Sequence, residues 1–240
     1  MKKVFTRLAM ILMVSFIVWG VCSQKTDKVL LAAELTGFEI EEEIINETNG
    51  NIVNTSSKQL GIITCINPET NEFVALGHSL TNSKEGKAIE AVCYDAQLKE
   101  TGGKQLQAYL NEEIPIGQAY YDSDYGIYGK MNNVEEAKYQ VVEIGTRYEI
   151  KKGEATILIR LDGENLESFQ VEVEEISFLH NNHNIRIKIT DERLISKTGG
   201  IVQGMSGTPL MQNGKLVGVI NSVSASDATD AFAIFIDKII

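Results

Sequence analysis

The sequence predicts an all-β globular domain behind an N-terminal apolar leader. Three observations carry this: short runs in which apolar and polar residues alternate, turn residues between them at regular spacing, and few helix-length patterns after the leader. Ile185, Ile187 and Ile189 alternate with Arg186, Lys188 and Thr190, the period-two signature of a half-buried strand. Many such strands bury their inner faces only in a closed or sandwiched β architecture.

In chain order, Lys2, Lys3 and Arg7 precede an uncharged, mostly apolar run from Leu8 to Cys22, the layout of an export signal. The run has 15 residues, fewer than the roughly 20 that cross a bilayer as a straight helix. Cleavage after Ser23 and retention as a membrane anchor both stay open, and the missing A-x-A site favours retention. Residues 1–33 are therefore read as a hydrophobic signal/anchor helix with its flank, which puts the rest of the chain outside the cytoplasmic membrane. Residues 34–57, with Glu34, Glu39, Glu41, Glu42, Glu43 and Glu47, read as a polar lead-in, and residues 58–240 as the folded domain.

Within that domain, Glu100 to Leu110 is the best helical stretch, Asp191 to Ser196 is a shorter one, and Lys130 to Glu143 is placed as a connector between two sub-barrels. Ile157, Ile159 and Leu161 make a strand ended by a turn at Asp162-Gly163. Phe169, Val171 and Val173 share one parity while Ile176 and Phe178 take the other, which predicts a bulge near Glu174-Glu175. Asn213-Gly214 between Pro209-Leu210-Met211 and Leu216-Val217-Gly218 reads as a two-residue type I′ hairpin. Cys65 and Cys93 sit in apolar strand-like runs and are read as buried free thiols.

Composition excludes two classes. Hydrophobic residues at 43% of 240 give material for a core, so the chain is not a disordered one. A net charge of −11 without a basic stripe excludes nucleic acid as a partner.

The stretch Thr198-Gly199-Gly200-Ile201-Val202-Gln203-Gly204-Met205-Ser206-Gly207-Thr208-Pro209 is where chemistry concentrates. A serine in a glycine-rich turn before a strand is similar to the nucleophile loop of trypsin-like β-barrel proteases. Glycines let the chain turn tightly enough for the N–H groups of Gly204 and Ser206 to converge on the oxygen of a tetrahedral intermediate, each donor contributing roughly 3 kcal/mol. The competing reading is a turn that merely links strands. The chain has three histidines to serve as base. His180 and His183 lie in Leu179-His180-Asn181-Asn182-His183-Asn184, the polar tip of a hairpin, with no carboxylate or thiol at metal-ligand spacing. His78 follows Phe73-Val74-Ala75-Leu76-Gly77, an apolar strand ending in glycine, where an imidazole can line a pocket. Every histidine precedes Ser206, the reverse of the α/β-hydrolase order, and Gly204-Met205-Ser206-Gly207-Thr208 lacks the last glycine of G-x-S-x-G.

Asn67-Pro68-Glu69-Thr70, Ala75-Leu76-Gly77-His78, Ile189-Thr190-Asp191 and the block from Lys197 to Lys215 together resemble the peptidase domain of the SpoIVB-type sporulation serine proteases. The resemblance runs from about Gly61 to the C-terminus. It implies a trypsin-like double β-barrel, peptide-bond hydrolysis without metal or organic cofactor, and a catalytic set of His78, Asp191 and Ser206. It further implies an enzyme of the space between two membranes that cuts itself and membrane-associated sporulation regulators, leading to activation of a late sigma factor. Asp191 is also in place to cap the helix it opens, and Asp95, Asp122 and Asp124 stay open as the acid. Family members usually carry a PDZ domain, for which the stretch between Cys22 and the first matching strand is too short. The rival expectations are a catalytically silent protease-like scaffold and an acyl-ester hydrolase on the same serine.

Overall fold

The computed structural model describes residues 27–45, 52–79, 86–98, 103–162, 164–180 and 182–240. The leader helix lies outside them, and among the described residues no helix is long and apolar enough to cross a membrane. The chain is all-β. Its first half contains β1 (Lys28–Ile45), β2 (Ile52–Ile66), β3 (Glu72–Ala75), β4 (Gly86–Leu98), β5 (Lys104–Asn111), β6 (Gly117–Ser123) and β7 (Gly126–Met131). A 3₁₀ turn at Glu136–Lys138 leads to β8 (Gln140–Ile144), β9 (Gly153–Ile159), β10 (Glu167–Ile176) and β11 (Ile185–Ile189). The short helix α1 (Glu192–Thr198) precedes β12 (Pro209–Gln212), β13 (Lys215–Val223), β14 (Asp230–Phe235) and a last 3₁₀ turn, Ile236–Lys238.

The 14 strands pair in the order β12-β9-β10-β11-β14-β13-β8-β1-β2-β3-β7-β6-β4-β5. Two further pairings turn the sheet back on itself: β12 with β13, and β1 with β4. Pairing therefore forms one cycle through β1, β2, β3, β7, β6 and β4, and another through β9, β10, β11, β14, β13 and β12. Each cycle encloses apolar side chains contributed by alternate strand positions. Phe38, Ile63, Phe73, Ala88, Ala119 and Ile127 fill the first. In the second, Ile157, Phe169, Val171, Ile187, Leu210 and Phe235 pack in a cluster that also takes in Ile62 and Leu106.

Several sequence expectations hold in detail. The β10–β11 register shifts between Val173 and Glu175, the predicted bulge. Gln212 pairs with Lys215 across Asn213 and Gly214, whose φ values of 53° and 78° are those a type I′ turn needs. Both cysteines are free thiols, Cys65 buried with its pKa pushed up to about 12 by desolvation, Cys93 half-buried.

Two expectations are corrected. The helical stretch at Glu100–Leu110 is strand β5 from Lys104 onward, because Leu106 fills the core and Leu98 to Glu90 of β4 supply partners along its length. Cross-strand pairing here outweighs local helix propensity. Residues 34–45 and 52–57, read as part of a polar lead-in, are instead strand residues of the antiparallel pair β1 and β2, with Leu35, Phe38 and Ile40 buried and Thr36 to Ile40 also paired to β4. Their glutamates hide the alternation of apolar residues between them.

Candidate active site

Strand β2 gathers the two loops that matter. Ile62 N–H donates to the Ser206 carbonyl at 2.8 Å, and the Ile62 carbonyl accepts from Leu76 N–H at 3.2 Å. One buried residue thus holds the serine loop on one side and the approach to His78 on the other. Gly207, with φ +98°, is required at this junction, since a Cβ there would lie 2.1 Å from the Ile62 oxygen and 2.7 Å from the Leu76 nitrogen. Thr64 Oγ1 donates to the Gly207 carbonyl at 2.7 Å, a buried tie from the same strand.

The chain then leaves β3 through two left-handed residues, Leu76 (φ 74°) and Gly77 (φ 68°). Leucine in that region is a strained conformation, costing about 1–3 kcal/mol, and it turns the chain out of the strand line just before half-buried His78. A Cβ on Gly77 would lie 3.1 Å from Asn221 Cβ, so β13 packs closely behind the turn. His78 Nδ1 lies 2.8 Å from the Ser79 carbonyl oxygen. A carbonyl only accepts, so in this contact Nδ1 is the donor, and in the neutral ring that tautomer leaves the lone pair of a general base on Nε2.

The backbone of the serine loop has a distinctive pattern. Gln203 N–H donates to Lys104 O, Met205 N–H to Val202 O, Gly207 N–H to Ile220 O and Thr208 N–H to Met205 O. Among the described residues, the N–H groups of Gly204 and Ser206 have no acceptor. Two uncommitted donors on either side of buried Met205 are what an oxyanion requires, since neither must break an existing bond to receive it. Thr208 Oγ1 closes the loop onto Met205 O at 2.7 Å.

Asp191 is placed differently. Its side chain caps α1, accepting from Arg193 N–H at 3.0 Å and from Arg193 Nη2 at 2.7 Å, and it reaches across to Gln170 N–H of β10 at 3.1 Å. The Arg193 guanidinium, aided by these N–H groups, holds its carboxyl well below the usual carboxylate range. In this structure Asp191 is bonded to Arg193 and Gln170, not to His78. Of the other aspartates, Asp95 bonds to Ala96 N–H and the Gln97 amide, and Asp124 sits exposed in the β6–β7 turn. That turn abuts the His78 approach, because a Cβ on Gly126 would lie 2.5 Å from Ala75 O and 3.3 Å from Gly77 N. Of Asp122 the structure describes the backbone, in β6.

Of the three histidines, His183 also comes near this region: its Nε2 lies 3.1 Å from Ser222 Oγ, and its ring stacks on Phe232 at 4.6 Å. Ile62 and Thr64 were not picked out from sequence, because nothing in a strand pattern marks the residue that a distant loop will lean on. Among the described residues no group of acidic, histidine and cysteine side chains is arranged to hold a metal.

Several solved structures are similar to this chain. The active form of the Rv3671c protease from M. tuberculosis is 14% identical, with 86% of this chain and 77% of that one covered at a TM-score of 0.46. The MamO protease domain from Magnetospirillum magneticum is 15% identical, with 87% and 95% covered at 0.41. The thermostable serine protease AL20 from an extremophilic microorganism is 10% identical, with 85% and 91% covered at 0.44. No curated protein sequence matches the chain. The family model of the SpoIVB peptidase S55 matches residues 46–240, a span holding both β2, which gathers the loops, and the two loops themselves. With that match over most of its length, the chain belongs to the SpoIVB peptidase family, and it is a serine endopeptidase.

Proposed function

We propose that Ser206 is the nucleophile and His78 the general base of this endopeptidase, working at the junction of a trypsin-like double β-barrel whose halves are the two strand cycles. The observation that carries the reading is the pair of uncommitted N–H groups at Gly204 and Ser206, in a loop that Ile62 ties to the strand end leading to His78. Nε2 takes the Ser206 hydroxyl proton as Oγ attacks the scissile carbonyl carbon. The oxyanion settles on the Gly204 and Ser206 N–H groups, and Nε2–H then protonates the leaving amine. Water repeats the sequence on the acyl-enzyme and restores Ser206.

Asp191 belongs to this machinery through the backbone it fixes. It caps the helix that runs directly into the serine loop, so it acts as a positioning residue for Ser206. The family resemblance supports substrates among membrane-associated sporulation regulators, including the enzyme itself, upstream of a late sigma factor. The Leu8–Cys22 run supports a tether on the outer side of the cytoplasmic membrane.

The test is labelling of the full chain with a fluorophosphonate. Truncation at residue 33 would remove Val29, Leu30 and Leu31 from the core, so the intact chain is the proper reagent. Wild type should label at Ser206, and Ser206→Ala should not. Equal labelling of the two, or none of a folded wild type, would instead identify a silent scaffold.

A further inference from the structure

Two loops on one side of the second strand cycle expose large apolar side chains to solvent. Tyr148 is 81% exposed, Leu179 93% and Phe178 55%. The two aromatics are held together: Phe178 stacks on Tyr148 at 5.9 Å and on the fully buried Phe235 at 5.5 Å. A ledge of two aromatics stacked on the core, with an exposed leucine next in the chain, is costly to leave in water.

Its rim is cationic. Arg147 lies over the Phe235 ring, Lys238 Nζ donates to the His180 carbonyl beside Leu179, and Lys151 and Lys152 are exposed in the loop that carries Tyr148. Arg147 is paired with Asp237 and Lys215 with Glu149, so the positive charge of the rim comes from its lysines, with Glu154 exposed two residues from Lys152.

The position of the N-terminus identifies the occupant. Asp27 O accepts from Ile144 N–H at 3.0 Å, four residues before Tyr148. The apolar Leu8–Cys22 run ends only five residues before Asp27, a stretch that spans at most about 18 Å even fully extended. Resting on the tether reading above, we propose that the ledge of Tyr148, Phe178 and Leu179 with its cationic rim docks on the phospholipid bilayer in which the leader is held. Aromatic rings at the level of the headgroups, with lysine and arginine among the phosphates, are the chemistry of a membrane interface. The same loop carries Asn182, whose carbonyl accepts from the Asn221 amide, and His183, which meets Ser222. Docking at one end of this loop therefore fixes the distance of the β13 end, next to the serine loop, from the membrane surface, and favours membrane-proximal peptide segments.

The experiment reconstitutes the full chain into vesicles of phosphatidylcholine and phosphatidylglycerol doped with an acyl-diazirine phospholipid, and maps photo-adducts by mass spectrometry. Adducts are expected at residues 146–149 and 177–180 in addition to the leader. The triple variant Tyr148→Ser, Phe178→Ser, Leu179→Ser, at exposed positions outside the catalytic set, should lower the adducts in those two loops about tenfold or more, with fluorophosphonate labelling of Ser206 retained. Adducts confined to residues 1–26 overturn the docking and leave the tether standing. An absence of adducts anywhere overturns both. Chain-to-chain cross-links through the two loops, in place of lipid adducts, assign the ledge to a second copy and also overturn the proposal.

Discussion

In the proposed mechanism His78 and Ser206 act on one proton, so their losses should not add. His78→Ala is expected to lose peptide turnover nearly as completely as Ser206→Ala, with the double variant little worse. His180→Ala and His183→Ala should stay close to wild type, because neither imidazole shares the Ile62 junction. A comparable loss at either would overturn the choice of base. Asp191 calls for a finer readout. As a cap on the helix feeding the serine loop, Asp191→Ala should cost about 1 kcal/mol of stability and lower kcat only modestly, while Asp191→Asn, which can still cap, should stay near wild type with the base limb of the pH profile in place. Arg193→Ala, which removes the cap's main partner, should have an effect similar to that of Asp191→Ala. An acid orienting the imidazole would behave otherwise: its loss costs about ten-thousandfold, and removing Arg193 would spare activity. Ser206 and His78 were legible because glycines around a serine, and an apolar strand ending in Gly-His, leave a local trace. The bonds of Asp191 were half legible, since the cap is local whereas the partnership with Gln170 is not.

At the scale of elements, the β3–β4 and α1–β12 connections carry His78 and Ser206, and the glycines before and after β12, Gly207 and Gly214, differ in what surrounds them. Gly207→Ala should cost more than about 3 kcal/mol, combining a left-handed backbone with a Cβ driven into the Ile62 and Leu76 backbone. Gly214→Ala keeps only the backbone penalty, about 1–2 kcal/mol, because nothing lies within 4 Å of its added Cβ. Urea unfolding of the two variants checks the ranking, and equal losses would mean that the Gly207 contact relaxes freely. The hairpin and the bulge were readable because turn chemistry and parity are properties of adjacent residues. β5 was not: Lys104–Asn111 becomes a strand through its pairing with β4, and its own sequence favours a helix.

For the whole molecule, the two halves are joined by a buried polar network. Arg160 donates to the carbonyls of Ala32, Lys138 and Glu164, while Glu34 accepts from Lys138 Nζ at 2.7 Å and Tyr139 Oη at 2.9 Å. Arg160→Met would leave three carbonyls without their donor, and should destabilise the chain by about 3 kcal/mol or more. An unchanged urea midpoint would show that the halves do not depend on it. Stability should also fall in acid. Lys215 and Thr146 hold Glu149 at about 2, Thr229 and Lys188 lower Asp227, and Arg193 lowers Asp191. Each is depressed in the folded state, so its contribution is complete above the unfolded carboxylate value of about 4 and is lost as the pH falls through the folded one. Thermal melts should show Tm dropping below about pH 4, with a shallower slope for Glu149→Gln combined with Asp227→Asn.

By itself, the sequence determined the all-β class and the family, and it singled out the glycine-rich serine loop, because these depend on residue type and short spacing. The tertiary structure alone decided that residues 34–45 and 52–57 are strands, that Ile62 is the hinge between His78 and Ser206, and that Gly204 and Ser206 keep their N–H groups uncommitted. Each of those rests on hydrogen bonds between residues far apart in the chain, such as Ile62 with Ser206 and Gly207 with Thr64, and a contact of that kind leaves no periodicity in either segment for a reader of the sequence to find.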